Sequence, residues 1–541
     1  MRTALWISTG LLIIATAAAC GEPGPPPVLT VTSPTRGLTQ REPGPLTVTG
    51  TATPGTSGER VTKVTVNRVA ATLRPDGSFT AVVDAPNGAM LLETVATSDD
   101  GASAQDTRAV QTGQLRPVGT GIDRAITAAL SADAFTRLSA VAGPLLQTMD
   151  LAALLAPSQP MVSAGDDLAN LKLSVTGVKF TATKVALAPV DGGLSFTAQF
   201  DGIHVVANVV YAGALVPDGA TTVTITADQA TIAGTLGVAP AGTSGFTTRL
   251  VAPAVHTVGL RLAASGVAGQ ILDLLDGVLD STIQSVVSQS AEGALEPLVN
   301  QALGALAGPQ QIDVLGKKLD LQASPSAVTL TRAGALVTMN LAALLEGSES
   351  SPGYMFTDNG VPALDASHGF QLGLADDLIN ELLAEVHALG ILDLSVHQDF
   401  GLFDAAQFRL TMPPMISANT SDGAMRLVIG DMIATFSQHG TPVVKAAINV
   451  QVDLKIAPTD NAQQVALQLG AVDLRVDLLD DPSGTGGDDL PGAASTGIGI
   501  QLDSLSQLLI TLPLPSVAGI QLEQLSIGSD SGYVMMSGQI H

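Results

Sequence analysis

Residues 448–456 read INVQVDLKI: Ile448, Val450, Val452, Leu454 and Ile456 are aliphatic, and Asn449, Gln451, Asp453 and Lys455 between them are polar. Successive side chains of a strand point to opposite faces, so a period of two predicts a sheet with one dry and one wet face. The same period governs Val472, Leu474, Val476 and Leu478 against Asp473, Arg475 and Asp477. It recurs in Leu194, Phe196, Ala198 and Phe200 against Ser195, Thr197, Gln199 and Asp201, and in Leu171, Leu173 and Val175 against Lys172, Ser174 and Thr176. Strands are therefore expected through about 168–262 and again at Val328, Leu330, Val337, Met339 and Leu341. Final strands are expected at about 498–512 and 520–540, after an exposed loop over residues 480–491 (DDPSGTGGDDLP).

Helical spacing interrupts this theme at three places. Ile122, Ile126, Leu130 and Leu138 fall on one stripe with Phe135 beside it, predicting a helix that kinks or stops at Gly143-Pro144, before a second apolar stretch over 145–155. The longest helical pattern covers about 267–306 through Ile271, Leu274, Leu275, Val278, Leu279, Ile283, Val286 and Val287, with Gly293 and Pro297 expected to bend it. A third helix is expected from about 375 to 389, carrying Leu378, Ile379, Leu382, Leu383 and Val386, with Asp376 and Asp377 at its positive end and Gly390 at its cap.

Upstream, residues 28–113 alternate short strands with turns: Leu46–Thr51, Val61–Asn67, Phe79–Val83 and Leu91–Thr97, with Asp76-Gly77 as a hairpin signal. That spacing predicts a β-sandwich. The order of LTVTGTA, VTKVTVNRVAATLRPDGSFTAVV and the ETVATSDDG tail resembles the immunoglobulin-like repeats of bacterial surface proteins and glucodextranase-type modules. The resemblance implies a spacer or accessory role.

The chain begins with Arg2, an apolar run from Leu5 to Ala15, and Ala17-Ala18-Ala19 in front of Cys20, its one cysteine. So short a run cannot span a bilayer, which takes roughly 20 residues. Residues 1–19 resemble a bacterial lipoprotein signal peptide with its lipobox, which implies cleavage before Cys20, acylation of its sulfur and a membrane anchor. The same residues also fit an ordinary secretory signal cut at the A-x-A site. Gly21 is not the Asp that retains such lipoproteins at the inner membrane, so the resemblance implies the outer membrane in a Gram-negative cell. Residues 20–27, ending in GEPGPPP, read as a proline-rich tether.

Composition narrows the function classes. Of 541 residues 46% are hydrophobic and 13% charged, and loss of residues 1–19 removes only Arg2, moving the formal charge from −25 to −26. That acidity opposes nucleic acid. With Cys20 modified no thiol remains for a disulfide, a metal or a nucleophile.

One-faced sheets, each paired with a bent apolar helix, resemble the tubular lipid-binding superfamily of bactericidal/permeability-increasing and lipid-transfer proteins. The resemblance covers two lobes, 119–310 and 311–541, and implies an α+β module of curled antiparallel sheets wrapped on long helices, following the all-β sandwich. It also implies an apolar groove for acyl chains, with Phe180, Phe196, Phe200, Leu274, Leu275 and Val278 as candidate lining. A sealed core has the same sequence signature. The family's animal members carry a disulfide and a basic tip, and this chain has neither, so an endotoxin-binding role is not implied.

Catalytic signals are weak. His204, His256, His368, His387, His397, His439 and His541 form no H-x-x-x-H pair, and G-x-S-x-G and glycine-rich phosphate loops are absent. Ser244 reads as a loop serine, and Asp480-Asp481 with Asp488-Asp489 as a solvated acidic loop rather than a calcium site. A carbohydrate-active hydrolase needs aromatic platforms, yet aromatics are 3% of the chain and Trp6, its one tryptophan, leaves with the signal. The expectation is a lipid-anchored envelope protein with no cofactor and no catalytic residue that binds or transfers a hydrophobic ligand, an acyl lipid. The alternative is a structural or adhesive surface lipoprotein without a ligand.

Overall fold

The computed structural model describes residues 24–541 except 57, 149–152, 154, 157–158, 166, 168, 215, 243–244, 265–278, 290–307, 358–359, 368, 419–424, 459–464, 483, 485–489, 510–521 and 541. Cys20, residues 21–23 of the tether, Gly293, Pro297, Ser244 and Asp488-Asp489 thus lie outside the described residues.

The sandwich forms where the turns predict it. One sheet orders Val28–Ser33, Gly44–Thr53, Ser78–Ala85 and Thr72–Leu73; the other orders Leu38–Gln40, Ser103–Thr112, Gly88–Ser98, Val61–Val66 and Val69–Ala70. Their inner faces meet through Val31, Leu46, Val48, Val64, Val66, Phe79, Leu92 and Val110. Asp76-Gly77 turns the chain, with Gly77 at φ +83° and Asp76 Oδ1 accepting the Ser78 amide at 3.0 Å.

Three large sheets follow, and a two-stranded one pairs Gln114–Arg116 with Tyr354–Phe356. The first-lobe sheet orders Val162–Gly165, Asn170–Lys179, Gly193–Gly213, Val216–Pro240 and Phe246–Val258, with Ala182–Val190 and Arg261–Ala264 along its edges. The second-lobe sheet orders Leu394–His397, Ala405–Arg409, Met425–Gln438, Thr441–Pro458 and Val465–Asp480. Between them a central sheet orders Gly308–Val314, Lys317–Thr331, Gly334–Leu345, Ile122–Ser131, Phe370–Ala375, Tyr533–Ile540 and Leu522–Asp530. The chain is therefore a β-rich multi-domain protein, an immunoglobulin-like sandwich followed by an α+β module of long antiparallel sheets packed with helices. The expected division at 310/311 falls inside the strand Gly308–Val314, and the strand Ile122–Ser131 sits in a sheet otherwise built from residue 308 onward.

Three expectations are corrected. Residues 122–131 are a strand, and helix α1 (Ala132–Thr148) begins only after it, then runs through Pro144. The strand is buried on both faces from Ala125 to Ser131, and such a continuous apolar run has no periodicity to separate it from a buried helix. Residues 490–509, expected as loop and strand, form a helix, Leu490–Leu509, whose Leu490, Ala494, Ile498 and Leu502 bury one stripe at helical spacing. Its Gly497 has no substitute, because a β-carbon there would overlap the Phe408 ring.

The third correction concerns the sandwich, which is no free spacer. In the strand Met425–Gln438 the register shifts between Ile429 and Met432, and Asp431 takes φ +45° there. Gly430 lets Ala109 of the sandwich approach where a β-carbon would collide with it. The fully buried Asp431 carboxylate then accepts Arg36 Nη1 at 2.7 Å, the Gly37 amide at 2.9 Å and the Ala109 amide at 2.9 Å. Asn449 bridges the two domains, accepting the Asp431 amide at 2.7 Å and donating to the Thr107 carbonyl at 2.8 Å. Asp477 accepts the Thr107 amide at 3.0 Å and Arg36 Nη2 at 3.4 Å. Burial works against the Arg36 charge, but Asp106, Asp431 and Asp477 outweigh it and hold the guanidinium above its ordinary pKa.

Removing one partner of such a buried pair typically costs about 3–5 kcal/mol, because the other charge is left uncompensated. Asp431→Ala is therefore expected to undock the sandwich. Small-angle scattering should show a larger radius of gyration and calorimetry two transitions; one unchanged transition would mean that packing alone holds the dock.

Candidate apolar groove of the first lobe

Two long strands, Gly193–Gly213 and Val216–Pro240, form the spine of the first-lobe sheet. At roughly 3.3 Å per residue the shorter would span about 70 Å if straight, so the pair must bend to enclose a core. The bend can be read in the burial phase. Leu194, Phe196, Ala198 and Phe200 face inward, and after Gly202 (φ +61°) the inward set becomes Ile203, Val205, Ala207 and Val209. The partner changes phase at the same level, from Val223, Ile225 and Ala227 to Ala230 and Ile232. This paired shift re-aims both strands while keeping one face dry. Asp201 marks the bend on the wet side, where hydrogen bonds from Gln229 and Gln199 to its Oδ1, at 3.0 and 2.8 Å, hold its carboxyl below the usual range.

The neighbour along Gly193–Gly213 also changes there: Ala182–Val190 pairs with residues 193–201 and Asn170–Lys179 with 204–212. Helices close the two edges. Ser139 of α1 accepts the Leu187 amide at 2.8 Å, and the Gly143 carbonyl accepts Thr183 Oγ1 at 3.2 Å. At the opposite edge, Thr257 Oγ1 donates to Asp280 Oδ1 at 3.1 Å, placing helix α2 (described over 279–289) beside the last long strand. Leu279, Ile283, Val286 and Val287 are buried at helical spacing and join the same core.

The interior is dry. Among the described residues of this sheet every buried side chain is apolar. Small residues, Ala198, Ala207, Ala227 and Ala230, alternate with Val205, Val209, Ile225 and Ile232. Around the bend lies a rim of half-buried apolar side chains, Val178, Phe180, Val185, Val255, Leu260 and Leu262, all packed on the core. Outside the rim Arg261 and Asp228 pair at 3.1 Å in solvent.

Of the expected lining, Phe196 and Phe200 are buried and share one face of their strand, and Phe180 stands half-buried at the rim, edge-on to Phe200 with centroids 5.1 Å apart. Leu274, Leu275 and Val278 lie outside the described residues. The other rim residues do not stand out in the sequence, because half-burial depends on where the sheet ends, which period-two alternation does not encode. Among the described residues no three His, Cys, Asp or Glu side chains group to hold a metal ion. The inner face of the sheet offers apolar surface.

Core and rim should respond differently to substitution. Phe200→Ala is expected to cost about 3–5 kcal/mol in urea unfolding, as buried Phe truncations do. Phe180→Lys should stay within about 1 kcal/mol, because a lysine stem can lie along the rim with its ammonium in water.

No family model matches this chain, and no curated protein sequence matches it. Among solved structures it is similar to a lipopolysaccharide binding protein at 15% identity, covering 78% of this chain and 99% of that one with a TM-score of 0.39. It is similar to P47 of Clostridium botulinum E1 at 8% identity, 78% and 100% coverage and a TM-score of 0.29. A third similarity, to fibronectin(III)-like modules of Clostridium thermocellum CbhA, has 14% identity, 36% and 92% coverage and a TM-score of 0.14. Likenesses at these scores carry no argument about this protein.

Proposed function

We propose that the protein is anchored to the cell envelope through an acylated Cys20 and binds an acyl lipid in the interior of its first lobe. The observation that supports this reading is the contrast between its two lobes. The second-lobe region buries Asp376, Asp377, Asn380, Glu381, Glu385, Asp431, Asn449 and Asp477, whereas the first-lobe sheet buries apolar side chains only and rims them with half-buried ones. Each methylene moved from water to such a surface contributes about 0.8 kcal/mol, so a long acyl chain offsets its own ordering cost without any polar contact. Binding, not catalysis, is the role that an interior of this chemistry serves. Among the described residues no helix is long and apolar enough to cross a membrane. The anchor would then be Cys20, at the outer membrane if the cell is Gram-negative.

Native mass spectrometry of residues 20–541 carrying Cys20→Ser tests the reading, followed by solvent extraction and lipid identification. The expected result is a discrete added mass that extracts as acyl lipid, weakened severalfold by Phe180→Lys. A chain that stays ligand-free after incubation with phospholipid vesicles would overturn it and leave a structural surface protein.

A further inference from the structure

Helix α3 (Asp376–Ala388) carries acidic residues where a core helix should be apolar. Asp377, Glu381 and Glu385 repeat every four residues and form one stripe, each at most 1% exposed. We propose that this row is a proton-operated latch for residues 114–119, the strap that joins the sandwich to the lobes: the protonated row holds the strap and the ionised row releases it.

The strap reaches the row at two levels. Gln114–Arg116 pairs antiparallel with Tyr354–Phe356, the strand lying on α3, and the Gly119 amide donates to Glu381 Oε1 at 2.8 Å. Arg116 stacks its guanidinium 3.2 Å from the centre of the Phe356 ring. Neutral donors also reach the row. Asp377 Oδ1 accepts the Thr357 amide at 2.8 Å and its hydroxyl at 3.1 Å. Glu385 Oε1 accepts the Leu345 amide at 3.1 Å and the Ser348 hydroxyl at 2.9 Å. Glu381 Oε2 and Glu385 Oε2 are buried without a hydrogen-bond partner among the described residues, and the Tyr354 hydroxyl faces Glu381, Asp377 and Arg116.

A buried carboxylate oxygen with no donor is far costlier as an anion than as part of a neutral acid. Burial raises Glu381 to about 8, reinforced by Glu385 and Asp377 against the Gly119 amide. Burial and then Asp376 raise Asp377 to about 8, against the Thr357 hydrogen bonds and the charge of Arg116 on the strap, and burial raises Glu385 to about 7 with Glu349 adding to it. Tyr354 is pushed up by burial, as is Tyr533, which lies near Asp376 and Asp377, so neither phenol ionises in this range. At the far end of α3 burial lowers His387, which approaches the Leu410 carbonyl between Asp393 and Arg409.

With the strap off, water reaches the row and the carboxyls return toward their ordinary values near 4.5. The open state then binds fewer protons than the closed one between about pH 5 and 8, so opening is favoured as pH rises through that window and levels off above it. The opening constant should rise by up to tenfold per pH unit for each group that titrates.

Hydrogen–deuterium exchange of residues 20–541 carrying Cys20→Ser, corrected for intrinsic rates, reads the strap directly. Protection over 114–122 should fall at least tenfold between pH 5.5 and 8 while protection over 445–452 holds. Glu381→Gln keeps the acceptor for Gly119 but cannot ionise, and should make the profile less steep; Glu385→Gln should do so too and serves if the first variant does not fold. Protection that is flat in the parent, falls equally in both variants, or is lost together with 445–452 would overturn the latch.

Discussion

The strand Ile122–Ser131 is the constraint on which the rest of the module depends. It is buried on both faces over most of its length, so its amides and carbonyls can be satisfied only by strands on either side. Those partners are Gly334–Leu345 and Phe370–Ala375, far downstream, and the chain must return to supply them. Around that obligation the central sheet assembles, α1 leaves from its end toward the first lobe, and α3 continues from Phe370–Ala375 into the second.

The two lobes spend their interiors differently. In the first, the described residues of the curled sheet bury apolar side chains alone, and the phase shift at Gly202 lets long strands bend without wetting the inner face. The second-lobe region buries carboxyls and answers them with backbone amides, as at Asp431, Asp376 and Asp377. Asp431 is placed by a break in strand register, and the cost of its burial is offset by a cation and two amides from another domain. That arrangement makes the sandwich part of the second lobe's structure, and its accessory appearance in sequence conceals this.

The legible parts were those with a clean period. Residues 448–456 form a strand as their alternation demands, and Phe196 and Phe200 lie inside as theirs does. Errors fell where the period was ambiguous. Ile122, Ile126 and Leu130 match a helical stripe only because neighbouring small residues such as Ala125, Ala128 and Ala129 are buried as well. Ile498, Ile500 and Leu502 alternate like a strand, yet the helix buries Ile498 and Leu502, four residues apart, on one face. On α3 nothing local in the sequence announces that a strap and two strands will cover Glu381 and Glu385.

The amino-acid sequence by itself determined the class of the protein: an acidic, thiol-poor chain with an N-terminal signal-like segment, a turn-rich sandwich, and one-faced strands paired with apolar helices. These are properties of composition and of side-chain period, which act over a few residues. Only the tertiary structure decided that Ile122–Ser131 pairs on both sides, that Asp431 receives the sandwich, and that Asp377, Glu381 and Glu385 lose their water. Each of these depends on segments far apart in the chain meeting in space, and whether a charge is solvated or buried is set by that meeting, not by its neighbours in sequence.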